Sequence, residues 1–352
     1  MQTLRYAGLA ALVLTVSSCS FFKSKDRDVV QKGYRGTAME VNYVNRDVQV
    51  AMADLQKQMP AMLPPAPEGG PAPQWQNVQV LGDISVNEFN RTMISFATWV
   101  GGGAGNCAYC HNLANFAADT YPDGQQIYTK AVTRRMIQMT RNINSQWTDH
   151  VANTGVTCYT CHMGKPLPNG LWFYTDENQV LRHYLDNVGG RVTSQTVGPS
   201  AANRTSVKQT EWIWATMINM SQGLGVNCTF CHNSRQFASW EQSPPQRVTA
   251  YAGLQMIRQI NTEYLAPLST VLHPSRLGAM GDAPKAQCST CHNGVYKPLY
   301  GFPMARHYPA LWGGKTDWDT PPGPKFTTPV AAAPMVPTPD SASTAGSGMP
   351  QQ

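Results

Sequence analysis

Charged residues and long apolar runs are both scarce in this sequence. Charged residues make up 14% of the 352 residues, and no run of Lys or Arg is longer than two, which argues against a nucleic-acid-binding protein. The formal net charge of +6 carries little weight as a sign of nucleic-acid or membrane binding. The apolar stretch near the N-terminus, residues 6–16, has eleven residues, whereas a membrane-spanning helix needs about 20. The sequence therefore does not predict a membrane-spanning N-terminus.

Residues 1–18 have the features of a secretory signal peptide instead. Arg5 gives a short positive region, residues 6–16 give the apolar region, and two serines precede Cys19. A lone cysteine directly after such a segment resembles the cleavage site of a bacterial lipoprotein. We therefore expect Cys19 to be acylated, with a retained N-terminal anchor as the alternative. Either route places the rest of the chain on the periplasmic side of the inner membrane.

Eight of the nine cysteines lie in four copies of the pentapeptide C-x-x-C-H, which is the attachment signature of c-type haem. The two thiols add to the haem vinyl groups, and the histidine that follows reaches the iron from one face. A thioredoxin-like pair, a zinc site or a disulfide scaffold would not repeat this pattern four times. The sequence therefore predicts four covalently bound haem c groups, attached at Cys107, Cys110, Cys158, Cys161, Cys228, Cys231, Cys288 and Cys291, with His111, His162, His232 and His292 as iron ligands.

The pattern around the motifs predicts a mainly α fold with much irregular coil. Helices are expected from Ser85 to a break at residues 101–103, and over about residues 128–147. Thr92-Met93-Ile94 recurs as Thr216-Met217-Ile218, and the four residues from Arg141 match those from Arg258. These repeats predict two dihaem halves, residues 84–190 and 191–312, related by a pseudo-twofold axis and each built from two helix–turn–C-x-x-C-H units. Residues 19–83 would form an anchor and covering segment, and the Pro/Ala/Ser-rich residues 313–352 a disordered tail.

Each iron needs a second ligand on its other face, and the helices before the motifs carry methionines suited to that role. Met93 and Met217 occupy the same repeat position, and Met136 lies on the helix before the second motif. Met139 and Met220 share the same apolar faces and stay open as substitutes. For the fourth iron, spacing leaves two candidates, Met256 at the aligned helix position and His150. If the second helix continued, His150 would lie about 21 Å from Met136, too far to serve the same iron.

Several segments resemble the tetrahaem cytochrome c subunit of the photosynthetic reaction centre of purple bacteria. The segments are residues 89–93, 134–141, 147–151 and 155–162, with sequences FNRTM, RRMIQMTR, WTDHV and GVTCYTCH. The resemblance covers about residues 75–312. It implies that Met93, Met136 and Met217 bind the first three irons, and that His150 and His292 bind the fourth. The glycine run at residues 101–103 departs from the shorter turn of the family.

The resemblance also implies a function, which is electron delivery rather than catalysis. Such a subunit sits on the periplasmic face of the reaction centre and re-reduces the photo-oxidised bacteriochlorophyll special pair. Its electrons come from a soluble cytochrome c or a high-potential iron–sulfur protein. The alternatives are a periplasmic multihaem oxidoreductase and a quinol-linked electron carrier. Arg141 and Arg258 are expected to be either partners of haem propionates or exposed helix charges.

Overall fold

A computed structural model describes residues 27–31, 40–101, 106–175, 179–186 and 207–312 of the chain. An antiparallel hairpin, β1 (Arg27–Gln31) and β2 (Glu40–Val44), pairs Arg27 with Val44. The α-helices are α1 (Asn45–Gln58), α2 (Val86–Trp99), α3 (Tyr128–Gln146), α4 (Thr148–Val151), α5 (Cys158–His162), α6 (Gln179–Leu185), α7 (Val207–Leu224), α8 (Gln246–Gln259) and α9 (Cys288–His292).

Shorter helical turns join these elements. They are Cys107–Tyr109, Ala152–Thr154, Cys228–Phe230, the π-helix Ile260–Leu265, Ala266–Thr270, Pro274–Arg276, Pro298–Gly301, Met304–His307 and Pro309–Leu311. The expectation of a mainly helical fold with much coil is confirmed, and the small hairpin is an addition that the sequence did not predict. The predicted signal peptide, Cys19 and the C-terminal tail lie outside the described residues. Within the described ranges, no helix is long and apolar enough to cross a membrane.

The helix before the first C-x-x-C-H motif, α2, begins and ends where the sequence predicts. The hydroxyl of Ser85 accepts a hydrogen bond from the backbone N–H of Glu88 at 3.2 Å, which satisfies one of the free donors at the start of α2. The helix ends at Trp99, and the N–H of Gly101 still bonds to the carbonyl of Ala97. A Cβ on Gly101 would lie 2.6 Å from that carbonyl oxygen. The close approach explains why a glycine stands two residues after the end of the helix.

Residues 59–83 wrap around α2. Met59 and Leu81 are buried in the same apolar cluster as Trp99. The guanidinium group of Arg91, which is itself buried, donates to the carbonyls of Leu63 and Pro64 at 2.9 and 2.6 Å. The proline-rich connection is therefore held by hydrogen bonds from the Arg91 side chain to backbone carbonyls rather than by secondary structure of its own.

Two buried asparagines make matching sets of hydrogen bonds in α3 and just after α8. The amide of Asn144 donates to the carbonyls of Val156 and Leu311, both at 2.9 Å, and its oxygen accepts from the N–H of Val156. Each asparagine therefore ties a long helical segment both to the residue two positions before the next C-x-x-C-H motif and to a distant chain segment. The equivalent bonds of the second asparagine are those of Asn261 with Leu185 and Ala286.

Two arginines repeat the same relationship. Arg141 donates from Nε to the carbonyl of Ala310, and Arg258 donates from Nε to the carbonyl of Tyr184, both at 2.7 Å. The segment around residues 304–312 therefore packs on α3, whereas α6 packs against α8. The end of each predicted half lies against the long helix of the other half.

Candidate haem-binding sites

The four C-x-x-C-H motifs adopt two local forms. The first and third motifs fold as single 3-10 turns, Cys107–Tyr109 and Cys228–Phe230, whereas the second and fourth form the short helices α5 and α9. In these two helices a side chain before the first cysteine and a threonine three residues later cap each other reciprocally. The two forms alternate along the chain. The first motif therefore has the same local structure as the third, and the second has the same local structure as the fourth.

The histidine of every motif is held by a backbone carbonyl. A carbonyl oxygen only accepts hydrogen bonds, so the Nδ1 atom must carry the proton, and the lone pair of Nε2 stays free to bind a metal. The acceptor lies five residues ahead in the first and third motifs and three residues ahead in the second and fourth. The four contacts are His111 with Phe116 at 3.1 Å, and His162 with Lys165, His232 with Phe237 and His292 with Val295 at 2.9 Å.

Burial keeps these imidazoles neutral, which is the form that binds iron. Burial lowers the pKa of His111, His162 and His232 below the ordinary value. Burial, together with the neighbouring His150, lowers the pKa of His292 to about 4. Protons therefore do not compete for the Nε2 atom of His292 near neutral pH.

A large apolar cavity connects the first two sites. Its volume is about 910 Å³, and its walls include both residues predicted to bind the first iron, Met93 and His111. The same cavity is lined by Met136 and His162, which are predicted to bind the second iron. The structure therefore lines one cavity with both predicted thioethers and both predicted imidazoles, in surroundings that suit an apolar macrocycle.

The structure also brings together the two histidines predicted for the fourth iron. The ring centroids of His150 and His292 lie 5.9 Å apart. An imidazole–metal bond is about 2 Å long, so two rings that bind one iron from opposite faces have centroids about 6 Å apart. The Nδ1 atom of His150 donates to the carbonyl of Thr249 at 2.9 Å, so its Nε2 atom is free as well.

The competing candidate, Met256, lies in the apolar core. Its side chain is buried with Leu254 and Ile257. The matched hydrogen bonds show which residue of α3 corresponds to which residue of α8. Arg258 follows Arg141 by 117 residues, and Asn261 follows Asn144 by the same number. Met256 therefore corresponds to Met139 and not to Met136, and this register is the one expected from the match of Arg141 with Arg258 in the sequence.

The third site is the least complete of the four. Met217 lies on α7 and follows the buried Thr216, as Met93 follows the buried Thr92. A second cavity, of about 530 Å³, lies beside Cys228 and is lined by Ile218. Met217 is half-buried and does not line that cavity. The repeat, rather than a shared cavity, connects it with His232.

The second cysteines of the second and fourth motifs are direct neighbours. Cys161 and Cys291 form a disulfide, and their Cα atoms are 4.2 Å apart. A sulfur atom in a disulfide cannot also hold a thioether, so haem attachment at these two positions requires the reduced thiols. The pairing places α5 and α9 side by side.

The two repeated arginines have structural partners within the chain. Arg141 donates to the carbonyls of Ala310 and Val80 and forms an ion pair with Asp83 at 2.9 Å. Arg258 is half-buried against α6, and its partial burial lowers its pKa. Neither residue is an exposed helix charge, since both are half-buried.

The chemistry of these sites defines a class of protein. Repeated C-x-x-C-H turns, histidines with a free Nε2 atom and an apolar cavity lined by thiols and thioethers fit covalently bound haem c. These features identify a c-type cytochrome.

Comparison with known proteins identifies the family. The family model for the photosynthetic reaction centre cytochrome c subunit matches residues 23–184 and 176–312. Among curated photosynthetic reaction center cytochrome c subunits, that of Rubrivivax gelatinosus is 38% identical over 336 residues, which cover 86% of this chain and 89% of the relative. That of Thermochromatium tepidum is 43% identical over 310 residues, covering 80% and 74%. The chain belongs to the photosynthetic reaction centre cytochrome c subunit family and is an electron-transfer cytochrome.

Proposed function

We propose that the protein holds four haem c groups and re-reduces the photo-oxidised special pair of a photosynthetic reaction centre. When bound, each haem supplies a one-electron ferric/ferrous couple. Side chains of the protein provide the two axial ligands of the iron. The observation that carries the proposal is the 5.9 Å pairing of His150 with His292. Together with the thioethers and imidazoles that line the large cavity, it supports two protein ligands for three of the four irons, and an iron with two protein ligands has no open position for a substrate. Such sites suit an electron carrier rather than an enzyme.

The ligand assignment follows the same geometry. Met93 and His111 would bind the first iron, Met136 and His162 the second, Met217 and His232 the third, and His150 and His292 the fourth. A thioether disfavours ferric iron and raises the reduction potential, whereas a second imidazole lowers it. The fourth haem is therefore expected to have a lower reduction potential than it would have if a methionine replaced His150.

Two pseudo-twofold-related dihaem halves, residues 84–190 and 191–312, account for the repeated contacts. The matched hydrogen bonds of Asn144 and Asn261 support this division. The alternating forms of the four motifs support it as well. The 4.2 Å separation of the Cα atoms of Cys161 and Cys291 would place the second and fourth attachment sites together, near the axis.

The partners and location are inferred from the family. The protein would sit on the periplasmic side of the photosynthetic membrane against the reaction-centre core subunits, anchored through an acylated Cys19. A soluble cytochrome c or a high-potential iron–sulfur protein would supply its electrons.

Flash spectroscopy tests the function. Membranes that contain the protein are washed free of soluble donors, and haem absorption is followed after the reaction centre is excited. Rapid haem oxidation that survives washing is the expected result, since a bound donor is not removed. If no haem responds to the flash, while a substrate added in the dark oxidises or reduces the haems, a multihaem oxidoreductase or a quinol-linked carrier is favoured instead.

A further inference from the structure

One position in α8 breaks the repeat at the point where a ligand is expected. The spacing of 117 residues that relates Arg141 to Arg258 and Asn144 to Asn261 places Gly253 opposite Met136. The first half therefore carries a thioether at a position where the second half carries no side chain. Gly253 lies inside a helix, where glycine is less favourable than alanine, so the position calls for a specific reason.

The imidazole of His150 occupies the space that a side chain at this position would need. A Cβ atom on Gly253 would lie 2.6 Å from Nδ1 and 3.0 Å from Nε2 of His150. Contacts this short between unbonded carbon and nitrogen atoms are repulsive, because dispersion attraction is optimal near 3.5–4.0 Å. Either the ring or the helix would have to move.

The ring is fixed on the same surface of α8 by a hydrogen bond. His150 donates from Nδ1 to the carbonyl of Thr249, which lies four residues before Gly253 and therefore one turn away. Burial of His150 lowers its pKa, consistent with a neutral ring. The histidine thus crosses from α4 in one half and lies against α8 of the other, with its ring centroid 5.9 Å from that of His292.

We propose that Gly253 determines which ligand the fourth iron receives. It is a positioning residue, since it touches no iron and acts through His150. Because Gly253 has no side chain, α8 carries no methionine at the position equivalent to Met136. The same lack of a side chain leaves the space that the imidazole of His150 occupies. This inference rests on the proposed assignment of His150 and His292 as the ligands of the fourth haem.

The direct test is Gly253→Ala in the full protein, with a redox titration followed by electron paramagnetic resonance. The added methyl group should displace His150, so the bis-imidazole signal of one haem should be lost or shifted and its potential should rise. The other three haems should be unchanged. Gly82→Ala is a matched control, because a Cβ at Gly82 has only ordinary contacts with Trp75, at 3.7 Å or more.

A second variant tests the swap itself. In His150→Ala/Gly253→Met the repeat is restored, and a thioether should replace the imidazole. The expected result is a low-spin fourth haem with the near-infrared band of methionine ligation and a higher potential than in the unmodified protein. His150→Ala alone should instead give a high-spin fourth haem.

The outcomes separate this inference from the proposed function. If the unmodified protein has no bis-imidazole haem, the ligand assignment itself fails. If it has one, and Gly253→Ala leaves its signal and potential unchanged, only the role of Gly253 is overturned. Should Gly253→Ala fail to accumulate, His150→Ala/Gly253→Ala should accumulate, because no imidazole then meets the methyl group. Failure of that variant too would contradict the proposal.

Discussion

The paired asparagines give the sharpest test of how the two predicted halves are held together. Asn144→Ala removes a side chain that is 1% exposed, and with it two donors and one acceptor. The carbonyls of Val156 and Leu311 and the N–H of Val156 are then left without their partner. Asn261→Ala makes the equivalent change in the second half.

The expected cost follows from those three groups. A buried backbone group that loses its partner costs about 1–3 kcal/mol. Three such groups therefore cost at least about 3 kcal/mol. That is a substantial part of the free energy of unfolding of a typical protein domain, which is about 5–15 kcal/mol. Asn144→Asp should be no milder, because a carboxylate keeps the acceptor but offers no donor to the two carbonyls.

Denaturant titration followed by haem absorbance measures this cost. We expect both alanine variants to lower the free energy of unfolding by similar amounts. The control is Asn142→Ala on the same helix, whose side chain makes no hydrogen bond with the part of the chain that is described. Losses under about 1 kcal/mol at either asparagine would refute the argument from unsatisfied groups, and a loss at one position only would refute their equivalence.

Three further predictions concern single sites. His150→Met should raise the potential of one haem and leave the other three nearly unchanged in a redox titration; a common shift of all four would show that the ligand is misassigned. Burial would raise the pKa of Asp119, but Arg134 and Lys130 outweigh it and hold that pKa at about 2. Because this folded pKa lies below the usual 3.8, the ion pairs of Asp119 contribute fully to stability above about pH 4, and that contribution is lost as pH falls through 2. Asp119→Asn should therefore make the free energy of unfolding depend less on pH between about 4 and 2. An unchanged dependence in acid denaturation would contradict this. Lys285 is 1% exposed and pairs with Asp282 at 2.6 Å, so Lys285→Met should cost about 3–5 kcal/mol in the free energy of unfolding by stranding a buried carboxylate, whereas a thermal midpoint equal to that of the unmodified protein would show that the pair is dispensable.

Much of the attachment chemistry could be predicted from the sequence, because it depends on local spacing. The C-x-x-C-H motifs, the cap at Ser85 and the bounds of α3 are all set by neighbouring residues. The role of His150 could not be decided from spacing, since its partner His292 is 142 residues away (292 − 150). Its selection depended on the family resemblance, and the geometry now supports it.

Other features left little or no signal in the sequence. The motif histidines are oriented by backbone carbonyls, and any residue type supplies a carbonyl. The packing of residues 304–312 against α3 is a long-range contact with no local pattern. The position of Gly253 could have been found, because the repeated Arg and Asn residues already fixed the register that places it opposite Met136.

We propose that the chain holds four low-spin haems, three with methionine and histidine ligands and one with two histidines. Electron paramagnetic resonance of the oxidised protein, taken through a redox titration, distinguishes these ligand sets. We expect four low-spin signals, with a single bis-imidazole haem whose signal is removed by changing His150. A high-spin ferric signal in the intact protein, or a bis-imidazole signal that survives the loss of His150, would contradict it.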